Sequence, residues 1–261
     1  MVLYASDLDR TLIFSHRFLE EYPCKDICRP VEIKDDSTVI SYMSTQVYRR
    51  LHEIKENEKV VFVPVTTRSM DEYNRIELGF TPKYAIIDNG GTILDSGNNI
   101  ITEYDDYVKS KIDFIEMAKI SMDIIEIFKS VDYEPKVIDG KYIFFKTKNT
   151  EMFDEEASYL NTVYPNWTVT RQKNKCYVVP NHFSKQIALR WLWHKLNKPY
   201  IVASGDSELD LPMLALAQSA VVPDHGSLYK DKIVLDGNII TGGVTSSLET
   251  MKIVEDKAKV Y

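Results

Sequence analysis

The sequence predicts an α/β fold, a mostly parallel sheet core with an inserted α+β domain. Continuously apolar runs at residues 2–5, 59–65, 84–87 and 200–203 lack alternation, as strands buried on both faces do. Helix-period segments between them suit the crossovers that parallel strands require. Between about residues 92 and 180 the chain switches to paired short strands around turn signals such as Asp139-Gly140, the mark of an antiparallel insertion.

Taken in order, the first strand at residues 2–5 runs straight into Ser6-Asp7-Leu8-Asp9-Arg10-Thr11. Residues 13–43 form a long excursion, with a helical turn near 18–22 and a hairpin of 31–34 and 38–42 around Asp35-Asp36-Ser37. Excursions of this length beside a site often act as gates. Ser44 caps a helix to about residue 56, with Val47, Leu51 and Ile54 on one face. Residues 59–65 form the second strand, and Pro64 suits its terminus. Thr66-Thr67-Arg68-Ser69 follows, then a helix over 70–78. The third strand, 84–87, ends in Asp88-Asn89-Gly90-Gly91, where the glycines permit a sharp turn or a close ligand.

In the insertion, residues 92–95 and 100–101 pair around Ser96-Gly97-Asn98, and a single long helix spans about 107–128. Strands at 135–138 and 141–147, a helix over 154–163, and strands at 167–171 and 175–179 complete it. Then the α/β pattern resumes. A helix opens at Ser184-Lys185, with Ile187, Ala188, Trp191, Leu192 and Leu196 on its apolar face. The strand at 200–203 runs into Ser204-Gly205-Asp206-Ser207-Glu208-Leu209-Asp210, and a helix reaches about 216. Short strands at 219–222 and 232–235 and a closing helix over 245–254 finish the chain. The predicted organisation is a discontinuous core of residues 1–91 and 181–261, with a cap of residues 92–180.

The chain has 261 residues, 44% hydrophobic and 27% charged, an ordinary globular composition. A net charge of −7 offers no basic footprint for nucleic acid. A phosphate-bearing ligand must then be held by a few placed cations or a metal. No apolar run approaches the roughly 20 residues of a membrane helix, so no membrane partner is expected. The chain enters a core strand at once, without a signal peptide. Cys24, Cys28 and Cys176 make no disulfide framework, which suits reduced thiols in the cytoplasm. A monomer or small homo-oligomer is expected.

Asp7 and Asp9 follow a buried strand and point to one side of an extended chain. Carboxylates held that close repel unless a cation neutralises them, and oxygen ligands suit Mg2+. A solvated loop or helix cap is the competing reading for any Asp-x-Asp. Thr66 at a strand end can donate to a phosphate oxygen or act as a plain N-cap. Lys185 can be an ordinary helix-terminal lysine, and Asp206 and Asp210 suit a helix start. What favours chemistry is that a parallel sheet gathers Asp7, Asp9, Thr66, Lys185, Asp206 and Asp210 on one edge. Together they could perform phosphoryl transfer. One carboxylate attacks, a second transfers protons, and a hydroxyl and an ammonium stabilise the phosphoryl oxygens.

These stretches resemble haloacid dehalogenase (HAD) superfamily phosphatases of the Cof type, a group that includes sucrose-phosphate phosphatases. Asp7-Leu8-Asp9-Arg10-Thr11 is similar to their first motif, and Val65-Thr66-Thr67-Arg68 to their second. Ser184-Lys185 resembles the lysine motif, and Gly205-Asp206-Ser207-Glu208-Leu209-Asp210 the fourth. The resemblance covers essentially the whole chain, and the insertion falls where that family carries its α/β cap. It implies a Rossmann-like core, Mg2+ as cofactor and a small phosphorylated substrate. It implies Asp7 as nucleophile and metal ligand, and Asp9 as acid/base with its backbone carbonyl on the metal. Thr66, Arg68, Asn89, Gly90 and Lys185 would bind the phosphoryl group or substrate. Asp206 would bind the metal, with Asp210 supporting it or reaching the metal through water.

Three features depart from the family pattern: Arg10 where glycine is usual, Leu209 where asparagine is common, and the long excursion at 13–43. Lys146, Arg171 and Lys173 are candidate substrate cations in the insertion, though charged strand residues are usually solvated. The expected activity is hydrolysis of a phosphomonoester, a small phosphorylated metabolite such as a sugar phosphate. The alternatives are a phosphosugar mutase and a catalytically silent ligand-binding protein of the same fold.

Overall fold

The chain begins as β1 (Val2–Ser6), buried along its whole length. A short strand β2 (Phe14–Ser15), α1 (His16–Glu21), β3 (Cys28–Ile33) and β4 (Val39–Ser44) make up the excursion. Then come α2 (Thr45–Glu56), β5 (Val60–Pro64), α3 (Met70–Asn74), β6 (Tyr84–Ile87) and β7 (Thr92–Asp95). The insertion continues as α4 (Thr102–Lys109), α5 (Phe114–Ile127), β8 (Lys136–Ile138), β9 (Tyr142–Lys146), α6 (Phe153–Val163), β10 (Trp167–Gln172) and β11 (Lys175–Pro180). The chain closes with α7 (Lys185–Lys195), β12 (Tyr200–Ser204), α8 (Leu211–Leu216), β13 (Ser219–Pro223), α9 (Ser227–Lys230), β14 (Asn238–Ile240) and α10 (Ser247–Val260). This computed structural model describes residues 1–24, 27–128, 131–132, 134–148, 151–172, 174–230, 238–240 and 243–261.

The chain divides into two compact units, Met1–Ile101 with Lys185–Tyr261, and Thr102–Ser184. In the first, a five-stranded sheet has the order β14-β13-β12-β1-β5, parallel throughout. β1 lies between β12 and β5, which explains its unbroken apolar run. Val2, Tyr4, Phe62, Val202 and Val221 join Leu51 and Ile54 of α2 and Met251 and Val254 of α10 in one buried cluster. Because the strands run in parallel, Ser6, Pro64, Ser204 and Pro223 all end on the same edge. No described helix is long and apolar enough to cross a membrane.

Several elements differ from the sequence-based expectations. β7 pairs along its length with β6, and meets the 100–101 stretch at a single bridge, Leu94 to Ile100. The hairpin therefore belongs to the first unit, and the boundary falls after Ile101 rather than after residue 91. The helix expected over 70–78 stops at Asn74. Ile76 instead bridges Glu32, and Glu77 N–H donates to the Val31 carbonyl at 2.7 Å, so sheet pairing replaces the last helical turn. The strand expected at 232–235 lies outside the described residues.

In the second unit an antiparallel sheet has the order β10-β11-β9-β8. The single helix expected over 107–128 is two helices. Asp113 caps α5 by accepting from the N–H groups of Ile115 and Glu116, both at 2.9 Å. An aspartate that binds its own backbone this way begins a new helix rather than continuing an old one. α5 buries Met117, Ile120 and Ile124, and α6 buries Phe153, Ala157 and Leu160. The Phe128 and Phe145 rings lie 4.8 Å apart in this core.

Ile120 is fully buried, whereas Ile115 on the same helix is 85% exposed. Ile120→Ala is expected to destabilise by about 2–5 kcal/mol, and Ile115→Ala by no more than about 0.5. Urea unfolding of the two variants checks the facing of α5.

Candidate active site

The site is built on the carboxyl edge of the parallel sheet. Asp7 follows β1, and its N–H donates to the Ser204 carbonyl at 2.9 Å, extending the β1–β12 ladder by one residue. The chain then turns tightly, with the Leu8 carbonyl accepting from the N–H groups of Thr11, Leu12 and Ile13. Arg10 sits in that turn at φ +62°. This left-handed conformation suits glycine and disfavours a residue with a Cβ. The Thr11 hydroxyl lies 3.5 Å from Asp7 Oδ2.

Lys185, the first residue of α7, is 2% exposed. Its Nζ donates to Asp7 Oδ1 at 2.7 Å and to Asp210 Oδ1 at 2.6 Å. The other oxygen of Asp210 accepts from Asp206 N, Ser207 N and Ser207 Oγ at 3.2, 3.0 and 2.9 Å. Asp210 thus folds the loop after β12 around itself. Close approach explains Gly205, where a Cβ would stand 2.4 Å from Asp210 Cβ.

Asp206 is less fully satisfied. Its Oδ2 lies 3.1 Å from Arg10 Nε, and its buried Oδ1 has no hydrogen-bond partner among the described residues. One oxygen each from Asp7, Asp206 and Asp210 lie within 4.8 Å of one another. Burial first, and then the charge of Asp210, push Asp7 well above the usual carboxylate range, against the pull of Lys185. The same two causes raise Asp206 to about 7, with Arg10 opposing them. Burial works against the charge on Lys185, but Asp210 and Asp7 outweigh it and hold the ammonium protonated. So many acids with so few cations suit a divalent metal with oxygen ligands.

Thr66 is fully buried, and its hydroxyl accepts from Arg68 N at 3.2 Å. Its backbone holds the third strand end in place: Thr66 N donates to the Ile86 carbonyl, and Asn89 N donates to the Thr66 carbonyl. Asn89 stands at φ 54° with its Oδ1 buried and without a partner among the described residues, and Gly90 follows at φ 93°.

Arg68 is not presented as a free cation. Its Nε and Nη2 grip Asp9 in a bidentate pair at 2.7 and 2.8 Å, and Nη1 lies 2.8 Å from Glu32. Glu32 is fully buried on β3 and also takes Ser41 Oγ at 2.8 Å and Arg75 Nη2 at 3.3 Å. The excursion thus reaches the second motif through Glu32. Nothing local in the sequence marks Glu32, because Arg68 lies far along the chain. His225 was equally unforeseen, and its Nε2 meets the Arg10 carbonyl at 2.7 Å. Leu209 is half-buried in the turn that presents Asp210, while Ser207 supplies the polar contact there. In the second unit the Arg171 guanidinium lies over the Phe153 ring at 5.0 Å, Lys146 is half-buried on β9, and Lys173 lies outside the described residues.

Burial works to raise Glu32, but hydrogen bonding and charge from Arg68 outweigh it and hold its carboxyl low. Its contribution to stability is therefore present above the ordinary glutamate value of 4.5 and is lost as pH falls through the lower folded value. Arg68→Ala strands this buried carboxylate and is expected to cost about 3–5 kcal/mol at neutral pH. The double variant with Glu32→Gln is expected to recover part of that loss. Denaturant unfolding of the single and double variants measures both.

The family model of sucrose-6F-phosphate phosphohydrolase matches residues 2–228. No curated protein matches the sequence significantly. Among solved structures, the sucrose-phosphatase of Synechocystis sp. PCC6803, in complex with sucrose and phosphate, is 13% identical with a TM-score of 0.67, covering 98% of each chain. A Thermoplasma acidophilum protein is 14% identical with a TM-score of 0.65, again over 98% of each. A HAD-superfamily phosphatase from Bacteroides thetaiotaomicron is 17% identical with a TM-score of 0.62, over 100% of this chain and 96% of the other. These structures share the fold, and the match over residues 2–228 gives the affiliation: the chain belongs to the sucrose-6F-phosphate phosphohydrolase family of HAD-type phosphatases.

Proposed function

We propose that this phosphatase is a Mg2+-dependent phosphomonoesterase that works through an aspartyl-phosphate, with a small sugar phosphate as substrate. The observation that carries the reading is the buried Asp7 carboxylate, bonded to Lys185 and set beside Asp206 and Asp210. Family membership supports phosphate release. The sucrose and phosphate bound to the Synechocystis protein favour a sugar phosphate.

The donor set fits a metal, since Asp206 keeps beside Asp7 a buried oxygen without a partner among the described residues. Asp7, Asp206 and the Asp9 backbone carbonyl would hold Mg2+, which neutralises and aligns the attacked phosphate. Both oxygens of Asp210 are engaged, so it serves as support for Lys185 and the Asp206 loop. Asp7 attacks phosphorus, and the bond from phosphorus to the ester oxygen breaks. Asp9 gives the leaving alkoxide its proton, then takes one from the water that attacks the aspartyl-phosphate and releases inorganic phosphate. Arg68 holds Asp9 ionised through its two hydrogen bonds, so Asp9 leaves this pair when it carries the proton. Lys185, Thr66 and the turn at Asn89-Gly90 stabilise the phosphoryl oxygens. Substrate selection is assigned to the inserted unit, Thr102–Ser184, on the family resemblance.

Two outcomes test this. With Mg2+ and a panel of sugar phosphates, Asp7→Asn is expected to lower kcat by about 10³-fold or more while the protein stays folded, as removing a nucleophile does. Unchanged phosphate release by Asp7→Asn would sink the reading, and isomer interconversion without release would show a mutase. Because Mg2+ needs Asp206 ionised, its affinity is expected to climb as pH rises toward about 7 and to flatten above, when titrated calorimetrically between pH 5.5 and 8.5.

A further inference from the structure

Arg10 occupies a backbone position that suits glycine, and its side chain turns back onto the acidic cluster. Nε lies 3.1 Å from Asp206 Oδ2, and Nη2 donates to the His225 carbonyl at 3.1 Å. His225 closes the loop by placing its Nε2 2.7 Å from the Arg10 carbonyl. One residue therefore clamps Arg10 at both ends. His225 is itself fixed by rings, with Phe18 and Tyr22 centroids at 4.8 and 5.6 Å, and Phe18 also lies 5.5 Å from the guanidinium carbon. The contact with Asp206 is one of charge and not a directed bond, because the Arg10 Nε has no hydrogen-bond acceptor among the described residues. Asp206 meanwhile keeps Oδ1 buried and without a partner among the described residues. A carboxylate neutralised this loosely exchanges its counter-ion readily for a stronger one.

We infer that Arg10 is an internal counter-cation that competes with Mg2+ for Asp206, so that loading the metal displaces the guanidinium. The inference rests on the metal-centre reading above. Two cations against one carboxylate repel each other in a site this buried. The Arg10 side chain is 26% exposed, so it has a way out toward solvent. Arg10 thereby lowers the affinity for metal and keeps the metal-free site partly neutralised.

Mg2+ titration by calorimetry, without substrate, tests this on the full chain and on Arg10→Gln, Arg10→Gly and Arg10→Lys. Glycine suits the φ of this position, so Arg10→Gly keeps the fold, and a thermal melt of each variant verifies it. Arg10→Gln and Arg10→Gly are expected to bind Mg2+ about tenfold tighter or more, within the usual range of coupling between two sites. Arg10→Lys, which keeps the charge, is expected to stay close to the parent. Equal or weaker binding by Arg10→Gln overturns the inference. Tightening in Arg10→Gly alone also overturns it, since relief of the backbone and not charge would then be the cause. If the parent binds Mg2+ and all variants match it, this inference alone fails. If none binds, the metal-centre reading fails and takes this inference with it.

Discussion

The Lys185 ammonium, buried between Asp7 and Asp210, is the contact on which the rest of the site depends. A buried cation needs its charge met at close range, and here two carboxylates from different strand ends meet it. Asp210 in turn binds Ser207 and the Asp206 backbone, so one lysine orders the loop after β12 as well as the turn after β1. Those two loops are neighbours because β1 and β12 pair in register from Val2 with Tyr200 to Ser6 with Ser204. Removing the charge on Lys185 would leave two buried carboxylates facing each other, a larger loss than its two hydrogen bonds suggest.

A second ionic network lies to the side of the first and answers a different demand. Arg68 ties Asp9 to the fully buried Glu32, which Ser41 and Arg75 also contact. Without Arg68 the buried Glu32 carboxylate would keep only Ser41 and the longer contact with Arg75. The excursion after the first motif is therefore a structural partner of the second motif through β3 and β4. The bidentate grip also keeps the Asp9 carboxylate ionised, so the part of proton donor requires this pair to open.

Much of the frame was legible in the sequence because buried parallel strands write themselves as unbroken apolar runs. β1, β5, β6 and β12 stand where those runs stand. The elements that departed did so where a non-local or single-residue effect won. α3 stops early because Ile76 and Glu77 pair with the excursion, a partner that a helical periodicity cannot reveal. The long apolar stretch of the insertion breaks into α4 and α5 because Asp113 prefers to cap. β7 pairs with β6 as well as with the stretch after it, Ile86 with Ile93 and Leu94 with Ile100, and the β6 partner is one that the hairpin pattern alone does not name. In the site, strand-end motifs sufficed to group Asp7, Lys185, Asp206 and Asp210. Glu32, His225 and the occupied fork of Arg68 were hidden because each depends on a pairing between distant positions.

The charge balance of the cluster explains why such an arrangement persists despite its cost. Asp7, Asp206 and Asp210 are set against Lys185 and Arg10, so three acids face two cations. Burial first, and that deficit second, raise the pKa values of Asp7 and Asp206, since each buried acid would rather hold a proton than share the space as an anion. A sequence selected for stability alone would replace one of these aspartates with a neutral residue. Keeping all three buried makes the protein less stable as pH rises from the ordinary aspartate value of 3.8 to about 7, because over that range the folded state holds on Asp206 a proton that the unfolded chain has released. The cation proposed for this site would offset that penalty and would supply the positive charge that a phosphate dianion needs. On that proposal the instability of the acidic cluster and its affinity for a cation would be one property, expressed before and after the cation arrives.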